Sequence, residues 1–142
     1  NTEAKQLGAT GTHFVNPHGL HDENHYTTTY DLYLMFNEAL KDQAFLDIIS
    51  MNSYTAKVTS ADGTSYTPTW QATNYYSAGE ATPPDGIHVY GGKTGTTDQA
   101  GNCVILYEKN TAGEPYISVI MGASDKPLLY EEMNELLDAG MK

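Results

Sequence analysis

The chain contains no arginine. All 7 basic residues are lysines, so no side chain can form the planar two-pronged clamp by which a guanidinium grips a carboxylate or a phosphate. Basic residues are outweighed by 18 Asp and Glu, for a formal charge of -11, which argues against nucleic acid or an anionic membrane face as a partner. Cysteine is represented once, by Cys103. That excludes an intrachain disulfide, and the apolar alternation around it predicts a buried thiol rather than a nucleophile. No apolar run approaches the roughly 18 residues of a membrane span, and no signal peptide is visible. The first residue is Asn1 rather than Met, as expected after processing or for a piece cut from a longer protein.

A length of 142 residues suits one domain that buries about 70% of its extended surface. Thr2 to Gly8 reads as the last turns of a helix with Ala4 and Leu7 on one face. Residues 9 to 24 have no sustained period and predict a structured loop whose Phe14, Val15 and Leu20 dip into a core. Thr28 with Asp31 gives a capping-box signal for a helix carrying Tyr30, Tyr33, Leu34, Phe36 and Leu40, and 43 to 50 predicts a second helix. These two helices should cover one face of a sheet. A hairpin is expected over 54 to 70 around the Asp62-Gly63 turn, then a long loop over 71 to 86, a length that often borders a site.

From Ile87 the apolar period is two, and strands are expected at about 87 to 95, 101 to 109 and 115 to 122. A closing helix starts near Pro127 with Leu129, Met133, Leu136, Leu137 and Met141 as its apolar stripe. The order predicts an α+β fold, an antiparallel sheet covered by helices.

Several residues could carry chemistry. His13, His18, His21 and His25, with Asp22 and Glu23, offer zinc ligands, but there is no His-Glu-x-x-His spacing. Ring nitrogens bonded to loop backbone are the expectation, with His88 on a strand surface. Glu38, Asp42, Asp47, Glu131, Glu132 and Glu135 fall on polar helix faces, where carboxylates are solvated rather than catalytic. Trp70, Tyr75 and Tyr76 suggest a sugar or peptide platform, or packing at a loop base. No serine lies three residues before a lysine, so no Ser-x-x-Lys nucleophile is present.

The most pointed stretch is Gly91-Gly92-Lys93-Thr94-Gly95-Thr96-Thr97. Lys93 supplies a compact ammonium, the threonines supply hydroxyls, and Gly95 leaves room for a ligand chain to run alongside the strand. Glycine-rich turn chemistry is the plainer alternative. A phosphate loop is excluded, because Gly-x-x-x-x-Gly-Lys-Ser/Thr is absent.

Two separated motifs carry a family resemblance. They are Thr12-His13-Phe14-Val15-Asn16-Pro17-His18-Gly19-Leu20-His21-Asp22 followed by His25-Tyr26-Thr27-Thr28-Thr29-Tyr30-Asp31-Leu32, and the Lys93 stretch followed by Ala100-Gly101-Asn102-Cys103. On them the chain resembles the D-alanyl-D-alanine carboxypeptidases, low-molecular-weight penicillin-binding serine peptidases, over essentially all of residues 1-142. The resemblance implies part of a β-lactamase/transpeptidase-like fold, the carboxyl-terminal portion of the catalytic domain. It also implies removal of the terminal D-alanine from peptidoglycan pentapeptides through a serine acyl-enzyme.

Within that resemblance Lys93 corresponds to the lysine of the third active-site motif. Thr94 and Thr96 correspond to hydroxyls near the substrate carboxylate, and the Thr96 N–H to an oxyanion donor. Gly95 lets the substrate backbone lie antiparallel to the strand. Ser-x-x-Lys and Ser-x-Asn are expected before Asn1, leaving the isolated chain inactive. The implied partners are the peptidoglycan stem peptide, β-lactams and the preceding part of the domain. No cofactor is implied. The parent is expected outside the cytoplasmic membrane, and self-association through an exposed sheet edge is expected of the isolated chain. A noncatalytic cell-wall binding or regulatory module and a zinc hydrolase are the alternatives.

Overall fold

The computed structural model describes residues 1–140. A short first helix, α1 (Thr2–Gln6), buries Ala4 and ends before Gly8, whose φ of 87° breaks the helical path. The loop that follows is held by polar bonds. His13 and Tyr26 exchange backbone hydrogen bonds of 2.9 Å, forming an antiparallel bridge across it. The Thr12 hydroxyl donates to the buried Asp31 carboxylate at 2.7 Å and meets the Thr27 hydroxyl at 2.8 Å. The sequence expectation for this loop needs correction. Phe14 is only half-buried, and Val15 and Leu20 are exposed. Asn16 holds both ends of the turn, its side chain donating to the Leu20 carbonyl and accepting from the Gly19 N–H, so the turn needs no apolar anchor.

Helix α2 (Thr29–Ala39) begins as its sequence predicts, with the Thr28 hydroxyl accepting from the Asp31 N–H at 3.1 Å. The Asp31 carboxylate turns to Thr12 instead of closing a reciprocal box. Helix α3 (Gln43–Ile49) is capped by the Asp42 carboxylate, which accepts from the Ala44 N–H. The expected hairpin is split. Strands β1 (Ser53–Thr55) and β4 (Thr69–Gln71) form one antiparallel pair, and β2 (Val58–Thr59) with β3 (Ser65–Tyr66) forms another nearer the Asp62-Gly63 turn. Pro68 lies between the two pairs and has no N–H to give a ladder. The long loop contains an unexpected short helix, α4 (Tyr75–Ala78), capped by the buried Asn74 and closed by left-handed Gly79. Its four residues are too few to show a period in the sequence.

The sheet consists of β5 (Ile87–Thr97), β6 (Gly101–Asn110) and β7 (Pro115–Ala123), antiparallel in that order. Helix α5 (Lys126–Gly140) closes the described chain, its first turn held by the Asp125 carboxylate accepting from the Leu128 N–H. Residues directly paired in an antiparallel ladder project to the same side. One face therefore carries Val104, Leu106 and Glu108 of β6 with Ile120 and Ser118 of β7. Leu129, Tyr130, Met133 and Leu137 of α5 pack there, and together with Val104 and Leu106 they form the main core. Leu136, expected in the stripe, is exposed, and Tyr130 takes the buried position. Met141 lies outside the described residues. The opposite face carries Ile105 and Val119 and is approached by α2 and α3.

Two glycines in β5 are fixed by close approach. A Cβ on Gly91 would lie 1.9 Å from the Ile49 carbonyl oxygen at the end of α3, next to a register shift in the β5–β6 ladder. One on Gly92 would lie 2.1 Å from the Ile105 carbonyl oxygen. Gly-Gly is thus demanded by packing on β5, with no turn at that point.

Candidate functional site

Strand β5 is an outer strand. Strand β6 lies on one side of it, and the row of backbone N–H and C=O groups on the other side has no strand partner among the described residues. A free edge of this kind is a template for an added extended peptide. The register divides the Lys93 stretch between the two faces. Lys93 and Gly95 pair with Ile105 and Cys103, on the face toward α2 and α3, whereas Thr94 and Thr96 pair with Val104 and Asn102, toward α5. The four residues predicted to form the site are contiguous on one edge strand, and their side chains flank that edge from both sides.

On the α2 side, Lys93 is exposed and borders a cleft of about 180 Å³ with Leu32, Gly95, Cys103, Val119 and Met121. Its ammonium donates to the Thr94 carbonyl oxygen. Gly95 is open: an added Cβ would meet nothing within 4 Å. Its missing side chain therefore leaves room beside the strand, unlike Gly92. Cys103 was expected to be buried, but its thiol is only half-buried on this cleft, 3.5 Å from the Ala100 carbonyl oxygen. Its position opposite open Gly95, near the strand end, leaves it uncovered.

On the α5 side, a cleft of about 150 Å³ is lined by Thr73, Thr94, Thr96, Asn102, Lys126 and Tyr130, among others. The Thr94 hydroxyl meets that of Thr73 at 2.7 Å, and the Thr96 hydroxyl donates to the side-chain oxygen of Asn102 at 3.2 Å. Buried Asn102 in turn donates to the Ala123 carbonyl, tying the motif strand to the end of β7. Lys126 brings a second ammonium to this side, 5.6 Å from the centre of the Tyr75 ring. Thr73 and Lys126 were not picked out as site residues in the sequence, and Asn102 appeared only within the second family motif, with no role given to it. For Asn102 a signal was present, because it occupies the core-facing parity of β6 together with Val104 and Leu106.

Glu108 shares that parity and is fully buried. Its Oε1 accepts from the Ser118 hydroxyl at 2.6 Å, while its Oε2 has no hydrogen-bond partner. Burial raises its carboxyl to about 7, against the lowering effect of the Ser118 hydrogen bond. The Tyr76 phenol is also pushed up, first by burial and then by neighbouring Tyr130 and Glu108. Tyr76 donates to the Asn134 side chain, and Tyr75 stacks on Tyr130 with centroids 4.4 Å apart. These tyrosines belong to the core. Trp70 is separate from them and pairs with Tyr54, so the three residues do not form one platform, and Tyr75 and Tyr76 follow the packing alternative.

Three of the loop histidines place a ring nitrogen on loop backbone as expected. His13 meets the Asn24 carbonyl at 2.6 Å, His25 accepts from the Val15 N–H and His18 from the Leu20 N–H. No group of three or more His, Cys, Asp or Glu among the described residues is placed to hold a metal ion. His88 is exposed and lies edge-on to Tyr90. Glu38 pairs with Lys41, Asp42 caps α3 and Asp47 accepts from Gln43, which gives these carboxylates structural partners. One serine corrects the sequence expectation. Ser50-Met51-Asn52 does have Ser-x-Asn spacing, although the second motif was expected only upstream. Ser50 ends α3, and its hydroxyl donates to the Leu46 carbonyl at 2.8 Å, while the Lys93 ammonium donates to the Thr94 carbonyl and not to Ser50.

Residues 1–125 match the sequence profile of the D-alanyl-D-alanine carboxypeptidase family. The chain is 26% identical over 141 residues to the D-alanyl-D-alanine carboxypeptidase of Streptomyces sp. (strain K15), covering 99% of this chain and 46% of that protein. It is 28% identical over 138 residues to the D-alanyl-D-alanine carboxypeptidase DacF of Bacillus subtilis (strain 168), covering 97% and 33% respectively. The structure is similar to that of the Streptomyces K15 DD-transpeptidase, with a TM-score of 0.88 at 26% identity, over 99% of this chain and 52% of the other. A D-alanyl-D-alanine carboxypeptidase from Mycobacterium tuberculosis H37Rv shares the fold, with a TM-score of 0.79 at 24% identity, over 99% of this chain and 51% of that one. The chain spans about half, or less, of the length of these relatives.

Proposed function

The chain belongs to the D-alanyl-D-alanine carboxypeptidase family, and from that premise we propose that it forms the Lys-Thr-Gly wall of a serine-type peptidase site. The substrate is the D-alanyl-D-alanine end of a peptidoglycan stem peptide. The observation that carries this reading is the conjunction on one strand of an unpaired edge, an open glycine and an exposed ammonium. An extended peptide added antiparallel to β5 gains backbone hydrogen bonds along that edge. A side chain at 95 would stand beside it. The Lys93 ammonium attracts the terminal carboxylate as a point charge, with the Thr94 and Thr96 hydroxyls as further donors.

The nucleophile is supplied by a Ser-x-x-Lys in the part of the parent protein that precedes Asn1. Its hydroxyl oxygen attacks the carbonyl carbon of the penultimate D-alanine. The C–N bond breaks, the leaving amine takes up a proton, and free D-alanine departs from a serine ester. Water then hydrolyses the ester and regenerates the hydroxyl. The Thr96 N–H is one donor to the oxyanion of each tetrahedral intermediate, the other belonging to the nucleophile itself. β-Lactams acylate the same serine. The parent works outside the cytoplasmic membrane, where its polymeric substrate is found.

Intact mass after incubation with a penicillin tests the division of labour. The parent is expected to gain one covalent adduct and the 142-residue chain none. An adduct on the chain alone would contradict the upstream nucleophile. A parent without Ser-x-x-Lys before Asn1 would contradict it as well.

A further inference from the structure

A third cleft, of about 590 Å³, opens between the end of α3 and the β1–β4 pair, lined by Ile48, Met51, Ser53, Tyr54, Trp70, Gln71 and Ala72. Its volume falls within the range of small-molecule sites, roughly 300–1,000 Å³. Tyr54 and Trp70 sit directly opposite one another in the ladder, their rings parallel within 12° and their centroids 6.5 Å apart. That separation is near the wide end for an aromatic pair, about 4.5–7 Å, and each residue is 54% exposed. Apolar ring surface is therefore left uncovered on both residues. Neither the indole N–H nor the Tyr54 hydroxyl has a hydrogen bond within the described residues. None of the lining residues is charged, although the chain as a whole carries -11.

Parallel aromatic faces with unsatisfied donors at their rims match the surface of a pyranose, which has an apolar C–H face and a hydroxylated edge. The uncharged lining selects a neutral sugar over an anionic one, since an anion would leave water for a site with no cation inside a strongly acidic chain. The cleft is one residue along the chain from the proposed peptide site. Ala72 lines it, and the next residue, Thr73, hydrogen-bonds Thr94 at 2.7 Å.

We infer that the Tyr54–Trp70 cleft is a glycan subsite that takes a neutral N-acetylhexosamine unit of the cell-wall polymer bearing the stem peptide. The naming of that polymer rests on the peptidase reading above. The presence of a sugar site does not.

Trp70 is the chain's only tryptophan, so its fluorescence reports this cleft alone. Titration with N,N′,N″-triacetylchitotriose is expected to give a saturable emission change. A D-Ala-D-Ala peptide without sugar is expected to leave emission unchanged. Saturation-transfer NMR on the sugar protons, which does not need the indole, should show binding weakened at least tenfold by Trp70→Ala and by Tyr54→Ala, and unchanged by Lys93→Ala. Absence of saturable sugar binding would overturn the inference, as would binding that survives both aromatic substitutions. Sedimentation provides a further arm. A dimer abolished by Trp70→Ala, with no sugar bound by the monomer, would assign the patch to a second copy of the chain and overturn the glycan site. If sugar binding persists while the parent fails to release D-alanine, the peptidase reading fails and the subsite stands.

Discussion

Glu108 should make the protein less stable as the solution becomes more alkaline. Its carboxyl is fully buried against α5, with Ser118 on one oxygen and nothing on the other. An ordinary glutamate titrates near 4.5, and burial raises this one to about 7. The sign follows from proton counting. Between those values the unfolded chain has lost the proton and the folded chain keeps it, so the folded state binds more protons and rising pH favours unfolding. The contribution is fully present below pH 4.5 and is lost as pH rises through about 7. At about 1.4 kcal/mol per pH unit, the loss is on the order of 3 kcal/mol, a large share of a stability of roughly 5–15 kcal/mol. Urea denaturation at pH 5 and pH 8 measures it, with Glu108→Gln as the reference, because an amide cannot ionise but can still accept from Ser118. The wild-type midpoint should fall between the two pH values by more than the variant's, at unchanged slope. Equal pH dependence in the two proteins would refute a neutral carboxyl in this core.

The two glycines of the motif strand should behave in opposite ways. Gly92→Ala drives a Cβ to 2.1 Å from a backbone oxygen and should cost about 3 kcal/mol or more in denaturant melts. Gly95→Ala meets nothing and should leave stability unchanged or raise it by up to about 1 kcal/mol, while slowing D-alanine release in the parent protein. Asn102→Ala removes the donor to the Ala123 carbonyl and the acceptor of the Thr96 hydroxyl; a loss of about 1–3 kcal/mol is expected, read by the same melts. Chelation with EDTA should leave the thermal midpoint unchanged, because three of the loop histidine rings are engaged by loop backbone, and a lower midpoint would restore the metal reading.

Elements long enough to show a period were legible in the sequence. The three long strands were found within two residues of their ends and α5 at its start, because ten or so periodic positions outvote any single exception. The Thr28 cap was legible too, being a local pairing of a side chain with a backbone three residues on. What escaped was set by contacts distant in sequence. Val15 and Leu20 look like core residues in isolation, and only the polar pinning of their loop through Asn16 and the His13–Tyr26 bridge leaves them outside. Trp70 reads as a partner of Tyr75 and Tyr76 by proximity in the chain, yet the ladder pairs it with Tyr54. Lys93 and its glycines were visible as a motif, but the sequence could not show that Gly92 serves packing while Gly95 serves the open edge. That division depends on the approach of Ile105 to one and of nothing to the other.

The most direct test of the motif strand is D-alanine release by the parent protein carrying Lys93→Ala, assayed on a D-Ala-D-Ala peptide together with penicillin acylation. Lys93 is exposed and no core contact depends on it, so the variant should fold with wild-type stability. Peptide turnover and acylation should both fall by at least two orders of magnitude, about 2.7 kcal/mol of lost transition-state stabilisation. Turnover and acylation at wild-type rates in that folded variant would contradict a substrate-holding ammonium on this strand.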